Sequence, residues 1–330
     1  MKQVIKLQTE IFEAQSVLLS MLRITKDDEQ NLKEKSMIRK KIDLLSIDLM
    51  EALDKEKEKE KEKNIGGENI KSYRASKKKI GDLYIKAKET LAEVEKKIEQ
   101  DSNYRPNPQE VEIMKGTVGR GGKSVYEYFT PKKVAGAMWD LVEKNTFLGD
   151  DSFVRELQVL EPSAGVGVFS DVKKDMIEMT CIEKDPIYSR INAVCNPDDK
   201  VQNTTFEEYG LKDETFDAII GNVPFGNARG KEIVLDPEFK DEKYLERFFI
   251  LKSLKKCRPG GLLVLIVPTT IIGSKGKRWA NFRKKVSSQA EFLGAHKMPN
   301  GTFKSSGTDT VTDIIAVSYT HLTLPTIYSV

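Results

Sequence analysis

Cysteine and histidine are scarce in this 330-residue chain, with three of the first and two of the second. Cys181, Cys195 and Cys257 are scattered, odd in number and without a CxxC pair. That excludes a disulfide framework and a zinc site, and it fits a reducing, cytoplasmic compartment. His296 and His321 leave Ser-His-Asp catalysis and histidine-rich metal chemistry almost without material, so no metal is expected. Long apolar runs are missing as well. None approaches the roughly 20 residues that span a bilayer, and the opening MKQVIKLQTE has no apolar signal core. No membrane association is expected. Net charge is small, 54 Lys+Arg against 51 Asp+Glu giving +3, so any nucleic-acid surface has to be a local groove.

What is present begins with helical patterning. Val4, Leu7, Ile11, Ala14, Leu18 and Met21 repeat at 3-4-3-4 spacing. Ile42, Leu45, Leu49 and Ala52 do the same, as do Tyr84, Ala87, Leu91, Val94 and Ile98. Such stripes predict a helical hairpin or coiled coil over residues 1–102, burying against itself, a second copy or a helical partner. The alternating run from Asp54 to Lys63 reads as a solvated helix extension that stops at Gly66-Gly67, because each Lys is neutralised by a Glu.

NYRPNP at 103–108 breaks the pattern and marks a domain boundary. Beyond it, short apolar runs alternate with helical stretches: Gln158-Val159-Leu160, Met179 to Ile182, Ala218-Ile219-Ile220, Leu262 to Val267 and Asp313 to Val317. That alternation predicts a Rossmann-like, doubly wound α/β domain over residues 103–316. The last fourteen residues, 317–330 (VSYTHLTLPTIYSV), resemble a translated sequencing adapter. They are set apart as a non-native tail, with the natural chain expected to continue beyond them.

Three clusters carry chemistry. Leu160-Glu161-Pro162-Ser163-Ala164-Gly165-Val166-Gly167-Val168-Phe169 follows a strand, and a glycine turn there lets the backbone approach a ligand closely. Glu161 before the glycines suits a cationic amino-acid group and would repel a pyrophosphate, which favours S-adenosylmethionine over a dinucleotide; Ser170 also stands where GxGxxG needs its third glycine. Glu183, about 20 residues on, is placed to accept the hydroxyls of a ribose. The third cluster, Asn222-Val223-Pro224-Phe225, ends the fourth strand. An aromatic amine is a poor nucleophile because its lone pair is delocalised. The Asn222 amide oxygen and the Val223 carbonyl can accept its two N–H bonds and favour the tetrahedral nitrogen that attacks a methyl donor. Phe225 then stacks on an extruded base.

This tetrapeptide resembles the Asn/Asp-Pro-Pro-Tyr/Phe motif of amino-group methyltransferases, with Val223 where the family usually has proline. Tyr128-Phe129-Thr130-Pro131 resembles the Tyr-Phe-Thr-Pro element of DNA adenine methyltransferases. The order of these elements is that of the gamma-type enzymes, and residues 119–316 resemble the catalytic domain of large phage and mobile-element DNA methylases. The resemblance implies adenine-N6 methylation of flipped DNA bases. It places Phe129, Thr130 and Pro131 beside the cofactor with Glu161, Pro162, Ser163, Ala164, Gly165, Gly167, Phe169 and Glu183. A helicase region in the full-length chain is a further implication, since some relatives are fused to a Swi/Snf-type helicase.

Rival readings remain. C5-cytosine methylation needs a cysteine after proline, and no cysteine here follows one. Ribosomal-RNA adenine methylation, glutamine methylation of a protein, and a non-catalytic interaction subunit of the same fold stay open. Gly121-Gly122-Lys123-Ser124 imitates a phosphate loop but lacks its first glycine at Thr117, and reads as a flexible entry loop. His296 is expected to be structural, beside the sixth strand.

Overall fold

The apolar runs become strands because branched and aliphatic residues suit a pleated surface covered on both faces. The computed structural model describes residues 67–116, 130–146, 155–226 (without 209 and 211), 236–303 and 310–320, plus four isolated helical positions nearer the N-terminus. The strands are β1 (Leu157–Glu161), β2 (Ile177–Glu183), β3 (Lys200–Asn203), β4 (Phe216–Asn222), β5 (Cys257–Pro268), β6 (Ala290–Lys297) and β7 (Thr312–Tyr319). They form one seven-stranded sheet in the order β3-β2-β1-β4-β5-β7-β6. The first five run parallel, and β7 lies antiparallel between β5 and β6. The chain reverses direction across the sheet between β1 and β4, the switch point at which such sheets bind ligands beyond their C-terminal ends.

Helices cover both faces. They are α1 (Gly67–Gln100), α2 (Pro108–Lys115), α3 (Lys132–Asn145), α4 (Pro186–Cys195), α5 (Leu245–Lys256), α6 (Thr270–Gly273) and α7 (Lys277–Ser287). On one face Phe248, Leu254, Trp279 and Phe282 of α5 and α7 pack with Ile219, Leu263 and Val317. On the other, Ala135, Met138, Trp139 and Val142 of α3 pack with Val159, Ile220 and Val264.

Two compact units divide the chain, Met1–Lys79 and Ile80–Val330. In the second, the stripe Tyr84, Ala87, Leu91 and Val94 is buried. Glu95 holds Arg190 of α4, with Nε to Oε1 at 2.7 Å. The NYRPNP break has a local cause. Pro108 opens α2, Asn107 caps it by accepting from Gln109 and Glu110 amides at 3.0 Å, and Glu110 returns the bond at 2.8 Å. The Glu110 carboxylate also takes Lys97 at 2.6 Å and the Tyr104 hydroxyl at 2.7 Å, tying the turn back to α1.

β7 extends three residues past the boundary drawn at Ala316. Val317 and Tyr319 are buried and register with Leu263 of β5 and Ala290 of β6. His296 lies within β6 itself, exposed and in register with Ile314. The stripes Val4–Met21 and Ile42–Ala52, the charged run Asp54–Lys63, the Gly121–Ser124 turn, Phe129 and residues 321–330 lie outside the described residues.

Candidate active site

Three parallel strands deliver their ends side by side: Glu161 from β1, Glu183 from β2 and Asn222 from β4. The glycine turn crosses this edge. Gly165 and Gly167 have φ of 55° and 81°, the left-handed region that glycine reaches without strain. At Gly167 space is a second requirement, since a Cβ would overlap Asn192 Oδ1 of α4. The turn is fastened by Ala164 N–H donating to the Ile182 carbonyl at 2.9 Å and by Trp139 Nε1–H donating to the Phe169 carbonyl at 3.0 Å. The second bond links the turn to α3, whose N-terminus is Pro131 next to buried Thr130.

Glu183 is locked at both oxygens. Gly165 N–H donates to Oε2 and Asp185 N–H to Oε1, each at 2.7 Å. A carboxylate has about four lone-pair positions, so two stay available to further donors. Burial pushes this carboxyl up to about 7, outweighing the backbone amide of Asp185, and Asp185's charge raises it further. Glu161 is more buried still. Burial, then the charge of Glu183, hold it well above the ordinary carboxylate range. Behind the turn, Asp171 pairs with Lys115 of α2 and, at 3.0 Å, with Lys132 of α3.

Asn222 is half-buried, and its main-chain carbonyl accepts the Ser163 hydroxyl at 2.9 Å, joining the fourth strand's end to the glycine turn. Val223 is buried, while Pro224 and Phe225 are partly exposed. Phe225 packs against both core layers. The chain beyond is pinned to α5: Gly226 N–H donates to Glu246 Oε2 at 2.8 Å and Leu245 N–H to the Gly226 carbonyl at 2.9 Å. Glu246 is buried, and burial raises its carboxyl. Sequence reasoning missed this residue, since nothing in Tyr244-Leu245-Glu246-Arg247 marks a contact with a loop twenty residues earlier. Of the other expected site residues, Pro162 to Phe169 form the turn after β1 and Val223 to Phe225 follow β4, while Thr130 and Pro131 precede α3, all within the second unit.

Strand order and the glycine turn define a class: the fold is that of the S-adenosylmethionine-dependent methyltransferases. A Listeria monocytogenes protein assigned to the class I enzymes of that kind superposes with a TM-score of 0.52 at 17% identity, covering 69% of this chain and 73% of its own. The type I restriction-modification methyltransferase subunit from Streptococcus thermophilus gives 0.51 at 16% identity, covering 64% and 48%.

Residues 167–302 match the family of the Eco57I restriction-modification methylase. Over 209 residues the chain is 39% identical to Defense against restriction protein B of Escherichia phage P1, covering 62% of this chain and 9% of that protein. Over 164 residues it is 27% identical to the type II methyltransferase M.HincII of Haemophilus influenzae, covering 46% and 29%. It thus spans less than a third of either relative. Residues 167–302 are thus similar to methylases of the restriction-modification type, and the cofactor of such a domain is S-adenosylmethionine. The edge suits that molecule chemically. Burial and then the charge of Glu183 raise the proton affinity of Glu161, which a cationic sulfonium and ammonium would relieve, and Glu183 has acceptor capacity left for hydroxyl donors.

Proposed function

We propose that this domain methylates the N6 amino group of adenine in DNA. The observation that carries the reading is Asn222-Val223-Pro224-Phe225 at the end of β4, bonded through Ser163 to the same glycine turn that Glu183 holds. In this reading Glu183 takes the ribose hydroxyls and Glu161 faces the cationic end. Pro162 to Ala164, Gly165, Gly167 and Phe169 shape the cradle, and Thr130 and Pro131 close its methionine side. When bound, S-adenosylmethionine supplies an electrophilic methyl group.

The chain's own work is at the amine. The Asn222 side-chain oxygen and the Val223 carbonyl accept its two hydrogens, turning the lone pair out of the ring. Phe225 stacks on the flipped base. The surplus proton leaves to water after transfer, so no base of shifted pKa is needed. The replacement of proline by Val223 keeps the carbonyl, and the buried valine side chain supplies by packing some of the rigidity that a second proline would give. Relatives named as a type II methyltransferase and a defence against restriction support DNA as the substrate.

Tritiated-methyl transfer to adenine-containing and adenine-free DNA tests the proposal. Asn222→Ala should slow transfer roughly 10²–10³-fold with cofactor binding kept, by analogy with other preorganised groups acting in the transition state. Phe225→Ala should weaken base capture by about 1–3 kcal/mol. Label appearing only on ribosomal RNA or protein, or an undiminished Asn222→Ala, overturns it.

A further inference from the structure

From Thr269 to Gln289 the chain holds six cations, Lys275, Lys277, Arg278, Arg283, Lys284 and Lys285, and no Asp or Glu. In a chain of net +3 this is the local concentration that overall balance conceals. The six differ in what they do. Arg283 is half-buried and spends its guanidinium on the Ile271 and Ser274 carbonyls, both at 2.9 Å, so it is structural. Lys284 and Lys285 sit in the last turn of α7, where cations complement the helix dipole.

Lys275 and Lys277 have no such explanation, and Arg278 is held by aromatic neighbours with its charge unneutralised. They are exposed, and among the described residues no carboxylate pairs with them. They crowd the beginning of α7, where the dipole disfavours positive charge. Their place in the fold is also specific. Arg278 lies over the Tyr244 ring at 4.6 Å and donates to the Tyr244 hydroxyl. Tyr244 packs at a tilt against Trp279, ring centroids 5.4 Å apart. The next residue, Leu245, bonds the Gly226 carbonyl, one step from Phe225. β5 leads to α6 and then to these cations, and its Ile266 registers with Asn222. The patch and the catalytic tetrapeptide therefore share the C-terminal edge of the sheet.

We propose that Lys275, Lys277 and Arg278 bind the phosphodiester backbone of DNA beside the flipped base, with Tyr244 and Trp279 holding Arg278 in place. This rests on the methylation reading above and assigns a DNA-contact surface to it. A local cost in helix electrostatics is repaid when phosphates approach, and contacts of this kind release counterions.

The test is duplex binding by fluorescence anisotropy across a salt series, using the full chain. Lys275→Gln, Lys277→Gln and Arg278→Gln together should lower the slope of log affinity against log salt by about 2–3. Lys275→Gln with Lys277→Gln, which spares the aromatic packing, should lower it by about 1–2. Lys284→Gln with Lys285→Gln removes equal charge from the far end of the helix and should leave the slope near the parent's. Binding of S-adenosylhomocysteine should not change in any variant. Slopes that fall equally at both ends, or not at all, overturn the assignment. So does a patch that matters for single-stranded RNA and not for the duplex. Methyl transfer by the parent is measured separately. If the parent methylates adenine while the patch variants bind normally, this inference fails alone. If the patch governs duplex binding but no adenine is labelled, the methylation reading fails alone.

Discussion

At the scale of single residues, the site is built on carboxylates kept out of water. Glu183 illustrates the consequence. Unfolded, a glutamate titrates near its ordinary value of about 4.3; folded, burial lifts it to about 7. Between those values the folded chain binds a proton that the unfolded chain has lost. Without ligand, stability therefore falls as pH rises from about 4.3 to about 7, then levels off. In the proposed cradle a ribose hydroxyl donating to Glu183 would favour the ionised form, so affinity should move the other way. S-adenosylhomocysteine should bind about tenfold more tightly at pH 8 than at pH 6, with proton release on binding. Calorimetry in two buffers of different ionisation enthalpy reads both quantities. Glu183→Gln should flatten the pH profile and weaken binding throughout; an unchanged profile in that variant removes Glu183 from the cradle. Glu161 and Glu183 could be picked out of the sequence because a polar residue at the end of an apolar run stands out. Glu246 could not, because its partner at Gly226 is brought near only by the way α5 returns to the sheet.

At the scale of elements, legibility followed burial. The runs behind β1, β2, β4 and β5 are apolar because both faces of those strands are covered. β3 is mostly exposed and β6 is almost wholly so, and neither leaves a hydrophobic run to read. The Asp313–Val317 run revealed most of β7 but not its end, since Val-Ser-Tyr alternates buried and half-buried positions as a strand does. That gives a test. A chain ending at Ala316 loses the buried side chains of Val317 and Tyr319 together with their ladder positions between β5 and β6. At about 1.5–3 kcal/mol per large buried side chain, the loss should be about 3–6 kcal/mol. A chain ending at Thr320 should match the parent in its urea midpoint. A change below about 0.5 kcal/mol for the shorter chain, as surface substitutions give, would mean that these residues do not pack.

At the scale of the whole molecule, the question is how much of the chain the cofactor site needs. The helical stripes and the NYRPNP break invited a boundary at 102/103. The compact unit holding the site begins instead at Ile80, within α1. The reason is physical: Tyr84, Ala87, Leu91 and Val94 are buried, Glu95 is bonded to Arg190, and Lys97 reaches Glu110. α2 then carries Lys115 to Asp171 at the back of the glycine turn. Residues 80–116 thus act as a brace against α4 and the back of the glycine turn. A fragment of residues 80–320 should fold and bind S-adenosylhomocysteine within about twofold of the full chain, because the proposed cofactor contacts and their supports lie inside it. A fragment of residues 117–320 lacks the brace and leaves Asp171 without Lys115, and breaking a buried pair is costly. Its affinity should drop at least about tenfold, with an earlier urea transition, consistent with a loss of about 1.4 kcal/mol or more. Lys115→Met in the full chain separates the two contributions. If the brace acts through that ion pair, affinity falls in this variant too, and Lys115→Arg restores most of it. Equal affinity in the 117–320 fragment would mean that the glycine turn is self-supporting and that the helices before it serve something other than the cofactor.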